Sequence, residues 1–372
     1  MVLSSCCAYG SLVARPSPRP TPAFPPPAIF ANLPLDTLDT ILAFLPRAAL
    51  PAVCLVSRVF RVHGQDALYR DLHLDTPRAL HACFSILASP ARLAPRVRAF
   101  TLNSREAGSV YGALEDALPL LRNLRALSLF AGGDACAWVL PHADPAPFAL
   151  HTFRTDVPFG ADVGAFVARQ PALRCMRVPW AGGAGGAGGL DAEALGLRHL
   201  TRVSAPWSLV AALVPGRPVC EVATFRDRRG TAPEQVRCLA GSTAPKGVER
   251  LQINYRFVRE IGAALLAETL PALACLAVTF GEEKETDLPG WIATFLAKAP
   301  PLHCFHLRLQ PYIALNYHDP AYLAAVDKEQ DLQYLVISKI GSQGYAATRV
   351  DGAWTRCSAH ATKGVLAHAT FA

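Results

Sequence analysis

The sequence has few charged residues and no long uninterrupted apolar run. Asp, Glu, Lys and Arg together make up 17% of its 372 residues, against 51% hydrophobic residues. Disordered chains are rich in charge and poor in apolar residues, so that class is excluded for most of the chain. The longest apolar stretch, residues 257–280, contains Arg259, Glu260, Glu268 and Pro271. A membrane span needs about 20 successive apolar residues, so we predict no transmembrane helix and no membrane partner.

The sequence also has no concentrated positive charge. The net charge is +7, from 36 Lys and Arg against 29 Asp and Glu. Residues 76–340 hold 27 of the basic and 23 of the acidic side chains, which leaves only +4 for this long region. Nucleic-acid-binding surfaces concentrate Lys and Arg, so we expect no nucleic-acid partner. At roughly 150 residues per domain, the length fits two or three domains.

Patterns that mark disulfides, secretion, metal sites and catalysis are missing as well. The 11 cysteines are scattered without a C-x-x-C pair, and no N-x-[ST] sequon occurs. These features are typical of buried thiols in a reducing compartment, so we expect a cytoplasmic and/or nuclear protein. No G-x-S-x-G, H-E-x-x-H or G-x-x-x-x-G-K-[ST] motif is present. We therefore predict no catalysis by the chain itself, no cofactor and no metal.

A glycine-rich tract at residues 182–189 contains the pattern G-x-G-x-x-G at Gly183, Gly185 and Gly188. Dinucleotide binding needs an acidic residue about 20 positions later for the ribose, and Ser208 stands there instead. We interpret the tract as a flexible loop. A nucleotide-binding enzyme is the alternative.

Residues 1–28 contain seven of the 31 prolines and no acidic residue. This composition predicts an extended, disordered tail. A plain linker is the simplest interpretation of the tail. A proline-rich ligand for a small adaptor domain and a transit peptide are the alternatives.

Residues 29–75 change to short amphipathic helices. Pro34 is placed for the first turn of a helix. The spacing i, i+3, i+4, i+7 puts four apolar residues on one stripe: Leu38, Ile41, Leu42 and Leu45. A second helix is predicted over residues 48–62, ended by Gly64. Alternation of apolar and polar residues predicts a short strand at 72–74.

From residue 97 onward, a seven-residue frame of the form apolar-x-x-apolar-x-apolar-x recurs ten times. The frames begin at residues 97, 124, 150, 173, 200, 219, 248, 273, 302 and 332. Their mean spacing of about 26 residues falls within the roughly 20–29 residues of leucine-rich repeats. Between the frames, one-sided apolar patterns predict helices over 110–121, 163–168, 261–270 and 291–297.

One strand and one returning helix per repeat predict a leucine-rich-repeat-like α/β solenoid over residues 76–340. Residues 341–372 depart from the repeat and form a separate segment. Within it, Val350 to Trp354 fit a hairpin with a turn at Asp351 and Gly352. We expect this hairpin to cap the last repeat, followed by a tail.

Arginines recur on the predicted strand face. Side chains alternate along a strand, so the middle position of apolar-x-apolar is expected to face away from the repeat core. That position and its neighbours carry six basic or titratable residues: Arg154, Arg177, Arg202, Arg250, His306 and Arg308. Arginine binds carboxylate and phosphate through two hydrogen bonds. We predict a target-binding surface for an acidic or phosphorylated partner, with ordinary solvated charge as the alternative.

The order of residues in 31–74 resembles the F-box. The family pattern is Leu-Pro, an apolar helix, Val-(Ser/Cys)-(Arg/Lys), an aromatic residue and a closing Leu-Tyr or Leu-Trp. It is carried here by Leu33-Pro34, Leu38, Ile41-Leu42, Leu50, Val53, Val56-Ser57-Arg58-Val59-Phe60 and Leu68-Tyr69. Val59-Phe60 stands where many members have Trp, and Phe60 keeps the aromatic anchor.

The resemblance implies a substrate-receptor subunit of an SCF-type ubiquitin ligase: a small all-α F-box followed by the repeat region. In that family the F-box docks on the Skp adaptor, which joins it to a cullin scaffold, and the repeats hold the target protein. Carried over by position, the adaptor-binding residues are Leu33, Pro34, Leu38, Ile41, Leu42, Leu50, Val53, Val56, Ser57 and Phe60. The alternative is a leucine-rich-repeat interaction scaffold without a ligase role.

Overall fold

The computed structural model describes residues 34–87, 93–103, 111–130, 140, 148–178, 195–225, 231–281, 287–310, 319–329, 331–339 and 345–357. The chain divides between Val157 and Pro158 into two compact units. Each unit combines helices with strands that are mostly parallel, which confirms the predicted α/β arrangement. The predicted tail at 1–28 and the glycine-rich tract at 182–189 lie outside the described residues.

Helices around a small apolar core begin the first unit. Its helices are α1 (Leu35–Phe44), α2 (Leu50–Val53), α3 (Arg58–Arg70), α4 (Pro77–Leu87) and α5 (Tyr111–Ala117). Leu38, Leu42 and Leu50 form the buried core of the first three. The side chain of Arg47 donates a hydrogen bond from Nη2 to the carbonyl of Leu68 at 2.9 Å. This bond holds the turn after α1 against the C-terminal end of α3.

The second predicted helix, over 48–62, is two helices in the structure. Ser57 separates them with an extended backbone, and its hydroxyl accepts a hydrogen bond from the backbone N–H of Phe60 at 3.2 Å. This side-chain cap satisfies a donor that the first turn leaves without a helical partner, so a new helix begins there. The prediction that Gly64 ends the helix is also wrong, because α3 continues through it.

Four parallel strands complete the first unit: β1 (Asp71–Leu74), β2 (Ala99–Asn103), β3 (Ala126–Phe130) and β4 (Thr152–Thr155). They pair in chain order, so that Leu72, Phe100, Leu127 and Phe153 lie side by side and are all buried. The short strand predicted at 72–74 is confirmed. It pairs with the first repeat strand, so the parallel array starts one strand before the first seven-residue frame.

The second unit continues the same alternation. Its helices are α6 (Ala161–Ala168), α7 (Trp207–Leu213), α8 (Ala232–Arg237), α9 (Tyr255–Thr269), α10 (Leu288–Leu296) and α11 (Ala321–Val326). Its parallel strands are β5 (Cys175–Arg177), β6 (Arg202–Pro206), β7 (Glu221–Phe225), β8 (Arg250–Asn254), β9 (Cys275–Phe280), β10 (Cys304–Leu309) and β11 (Tyr334–Lys339). They pair in chain order. All ten predicted frames therefore form strands, β2 to β11.

An antiparallel hairpin follows the last parallel strand. Strands β12 (Tyr345–Val350) and β13 (Ala353–Arg356) pair across a turn at Asp351 and Gly352. Both turn residues have positive φ, 50° for Asp351 and 81° for Gly352, as the type I′ turn of a two-residue hairpin loop requires. Strand β12 also pairs with β11, so the backbone groups on that edge of β11 are hydrogen-bonded. The predicted hairpin is confirmed.

We expect Gly64→Ala to destabilise the helical segment. A methyl group at Gly64 would lie 2.7 Å from the Cys54 sulfur and 3.8 Å from the carbonyl oxygen of Leu50. Forcing a group into a packed contact costs about 1–3 kcal/mol of unfolding free energy. Urea denaturation followed by circular dichroism measures the change.

Gly112→Ala is the matched control, because Gly112 lies in α5 with no atom within 4 Å of the new methyl group. That substitution should stabilise by about 0.5–1 kcal/mol through the lower backbone entropy of alanine. Equal effects of the two substitutions would contradict the close contact at Gly64.

Candidate functional site

The residues predicted to bind the Skp adaptor divide into a buried and an exposed group. Leu38, Leu42 and Leu50 are buried against one another, and Val53 and Phe60 are half-buried against them. These apolar residues therefore pack the helices of the segment against one another. The side chains of the three buried leucines are closed off by α1 to α3.

The exposed group of predicted adaptor-binding residues is smaller. Pro34, Ile41, Val56 and Ser57 are exposed. Ser57 has a local task as the N-cap of α3. Leu33 lies outside the described residues.

Five further exposed apolar residues in this segment are not among the predicted ones: Leu35, Phe44, Leu55, Val59 and Val62. Seven of the eleven exposed large apolar side chains in the described residues lie between positions 35 and 62, with Phe44 at 84% and Leu55 at 78%. Ile41 and Phe44, three residues apart on α1, are neighbours on the helix surface. The sequence signal that could have found these five residues is that they are apolar and lie outside the helical stripe of Leu38, Ile41, Leu42 and Leu45. We call the seven side chains the exposed apolar set: Leu35, Ile41, Phe44, Leu55, Val56, Val59 and Val62.

The predicted target-binding arginines lie on strands of both units. Arg154 lies on β4 of the first unit, next to Ser128 of β3. It is half-buried, and its Nε is buried without a hydrogen-bond partner among the described residues. Arg177 lies on β5 of the second unit, next to Ser204 of β6. The remaining predicted residues lie on β6, β8 and β10.

A buried acidic residue stands between two of these arginines. The parallel register places Glu221 of β7 between Arg202 of β6 and Arg250 of β8. Its Oε2 lies 3.3 Å from Arg202 Nε and 3.6 Å from Arg250 Nη1, and its side chain is 7% exposed. The shared carboxylate offsets one of the two positive charges. This row therefore offers less positive charge to a partner than the arginines alone suggested.

Arg308 on β10 lies in surroundings that disfavour its positive charge. Burial lowers its pKa, and the positive charge of Arg177 lowers it further. Its register neighbours, Thr279 on β9 and Ser338 on β11, carry hydroxyl groups and no charge. A bound anion would relieve both the loss of solvent and the repulsion. Arg177 and Arg308 thus carry like charges near enough to affect each other.

His306 is not accessible on this face. It is 0% exposed, and its Nε2 lies 2.7 Å from the hydroxyl oxygen of Ser338. Its register neighbours Ala277 and Val336 are equally buried. The prediction that middle strand positions are surface positions is therefore incorrect for this part of the sheet.

A cavity of about 460 Å³ lies within the first unit, between the helical segment and the loops that precede β2 and β3. Its lining contains arginines and aspartates in similar number. Several already pair, as Arg96 does with Asp66 and His63 does with Asp39. This mixture favours no particular ligand.

Two features are absent from the described part of the chain. Among the residues that the structure describes, no three His, Cys, Asp or Glu side chains are grouped as metal ligands. Within the same residues, no helix has the length and apolar character to cross a membrane. No protein-family model matches the chain, and no curated protein matches it.

We expect the double substitution Arg202→Met with Arg250→Met to destabilise the second unit. It would leave the buried Glu221 carboxylate without either cation, and removing the partners of a buried charge costs about 3–5 kcal/mol. The free energy of unfolding from urea denaturation measures the loss.

The triple variant that adds Glu221→Met is the control. Replacing all three charged groups by apolar ones of similar size should restore most of the stability, because no buried charge remains. A triple variant as unstable as the double one would mean that packing, and not charge, explains the loss.

Proposed function

We propose that this protein is the substrate-receptor subunit of an SCF-type ubiquitin ligase. In this proposal, residues 29–75 are an F-box that docks on the Skp adaptor and, through it, on a cullin scaffold. The region 76–340 is a leucine-rich-repeat-like solenoid that holds a target protein. The chain performs no bond chemistry, and it raises the effective concentration of the target near a ubiquitin-loaded enzyme. The compartment would be the cytoplasm and/or the nucleus.

The exposed apolar set is the observation that carries the proposal. Burying apolar surface yields roughly 25 cal/mol per Å², so leaving several large side chains in water forgoes a substantial gain. A surface of this kind is typical of a protein interface. It lies in the same segment whose residue order resembles the F-box, which supports a docking role for α1 to α3.

The small core of this segment agrees with a docking role. Leu38, Leu42 and Leu50 are the only fully buried large apolar residues described between positions 34 and 70. A module of this size has little core of its own and gains stability from a partner. An adaptor that covers the exposed apolar set would supply that additional burial.

We expect Phe44→Ser with Leu55→Ser to weaken binding to a purified Skp adaptor by about tenfold or more, because exposed apolar anchors dominate interface energy. Isothermal titration with the full chain measures the affinity, and thermal unfolding checks that the variant remains folded.

The control variant is Ile86→Ser with Leu120→Ser, which removes two exposed apolar side chains outside the proposed docking segment. Its affinity should equal that of the wild type. If the wild type fails to bind the adaptor, or if the Phe44 and Leu55 variant binds equally well, the F-box assignment is incorrect. A failure of the wild type would favour the scaffold alternative.

The strand-face arginines suggest an acidic or phosphorylated target. We expect Arg154→Glu with Arg177→Glu to abolish salt-sensitive binding to an immobilised pool of acidic and phosphorylated peptides, because reversed charges repel carboxylate and phosphate. Peptides retained by wild type and variant are compared by mass spectrometry.

Arg122→Glu with Arg256→Glu makes the same change of net charge at exposed positions off the strand face. This control should retain the peptides that the wild type retains. Equal losses in both variants would assign the binding to overall charge and not to the strand face.

A further inference from the structure

Two cysteines lie side by side on the strand face of the second unit. Cys275 on β9 and Cys304 on β10 are register partners in parallel strands. Adjacent strands are about 4.8 Å apart, and disulfides join residues whose Cα atoms are about 4.4–6.8 Å apart. Both side chains belong to one buried cluster with Val336 and Ala346. The register thus holds two thiols at a spacing that a disulfide can bridge.

The two thiols differ in their electrostatic surroundings. The hydrogen bond from Cys304 lowers the pKa of Cys275, and the charge and hydrogen bond of Arg250 lower it further, whereas burial and the negative charge of Glu221 act in the opposite direction. The pKa of Cys304 is raised by the hydrogen bond to Cys275, by burial and by the negative charge of its neighbour. Cys275 is therefore the more acidic of the two thiols and the one that forms a thiolate more readily. The thiolate is the reactive form of cysteine.

We propose that Cys275 and Cys304 form a dithiol site that hydrogen peroxide oxidises to a disulfide. In the first step the Cys275 thiolate attacks a peroxide oxygen, the O–O bond breaks, and hydroxide leaves and takes up a proton to form water. Cys275 becomes a sulfenic acid. In the second step the Cys304 sulfur attacks the Cys275 sulfur, the S–O bond breaks, and a second water leaves with the Cys304 proton. The pair loses two electrons, which reduce one peroxide to two waters.

The site has the parts that such an oxidation requires. The cation of Arg250 stabilises the attacking thiolate, and the resolving thiol lies on the adjacent strand. Both side chains keep a small accessible area, 6% for Cys275 and 8% for Cys304, which suits a small oxidant better than a bulky one.

Oxidation would also change the charge at Arg250. Arg250 acts on both the Cys275 thiol and the Glu221 carboxylate. The disulfide is neutral, so oxidation removes any thiolate charge from this row and makes the row more positive by up to one charge. If the row binds an acidic target, as the proposed function holds, oxidation would strengthen that binding. The disulfide itself does not depend on the proposed function.

The test treats the reduced full-length chain with hydrogen peroxide and maps disulfides by mass spectrometry of a non-reduced digest. We expect a peptide pair linking Cys275 to Cys304, with the loss of two hydrogen atoms. In the Cys304→Ser variant, Cys275 should remain a sulfenic acid and be labelled by dimedone once the treated protein is unfolded. Cys238 is the internal control, because burial raises its pKa to about 12 and it should stay unlabelled.

Two substitutions separate the electrostatic argument from general damage to the fold. Arg250→Met should slow the oxidation of Cys275 by about threefold or more, because the thiolate loses its cation. Arg202→Met removes an arginine that pairs with the same Glu221 and is not among the groups that shift the pKa of Cys275, so it should slow the oxidation less than Arg250→Met does. The proposal is overturned if wild-type Cys275 reacts no faster than Cys238, if the linked peptide does not form, or if both substitutions slow oxidation equally.

Discussion

The register between successive parallel strands is the constraint on which the rest of the structure depends. Each seven-residue frame places its apolar residues beside those of the next frame, as Phe100, Leu127 and Phe153 show in the first unit. The same register determines which side chains meet on the opposite face. It sets Glu221 between Arg202 and Arg250 in the second unit. A slip of one residue would exchange the two faces and expose the apolar rows.

The helical segment that precedes the repeats follows a different principle. Its core is a few leucines at helical spacing, and this core is too small to cover the apolar side chains around it. Ser57 and Gly64 fix how the helices meet, one as a cap and the other by leaving room for close approach. The segment is therefore well defined in its local geometry, while Phe44 and Leu55 remain in solvent. This combination is what a docking module needs.

The charged and thiol groups on the strand face of the second unit affect one another more strongly than fully solvated groups would. Arg250 on β8 contacts the Glu221 carboxylate on β7 and also lowers the pKa of the Cys275 thiol on β9, so one cation acts on a group on each neighbouring strand. Arg177 and Arg308 repel each other in partly buried surroundings. Binding of an acidic partner and the oxidation state of the thiols would both change the charge balance of this face. Such coupling follows from parallel strands about 4.8 Å apart, which bring distant residues into one electrostatic environment.

The sequence by itself determined the strands, some of the helices and the closing hairpin, because periodicity and turn residues are local signals. It also located the segment that carries the exposed apolar set. Only the tertiary structure decided that Ser57 starts a new helix and that His306 is buried beside Ser338. Cys275 and Cys304 stand at the same position of successive frames, but only the tertiary structure shows them in register on adjacent strands. Which side chain is covered depends on residues far along the chain, and a local pattern carries no information about them.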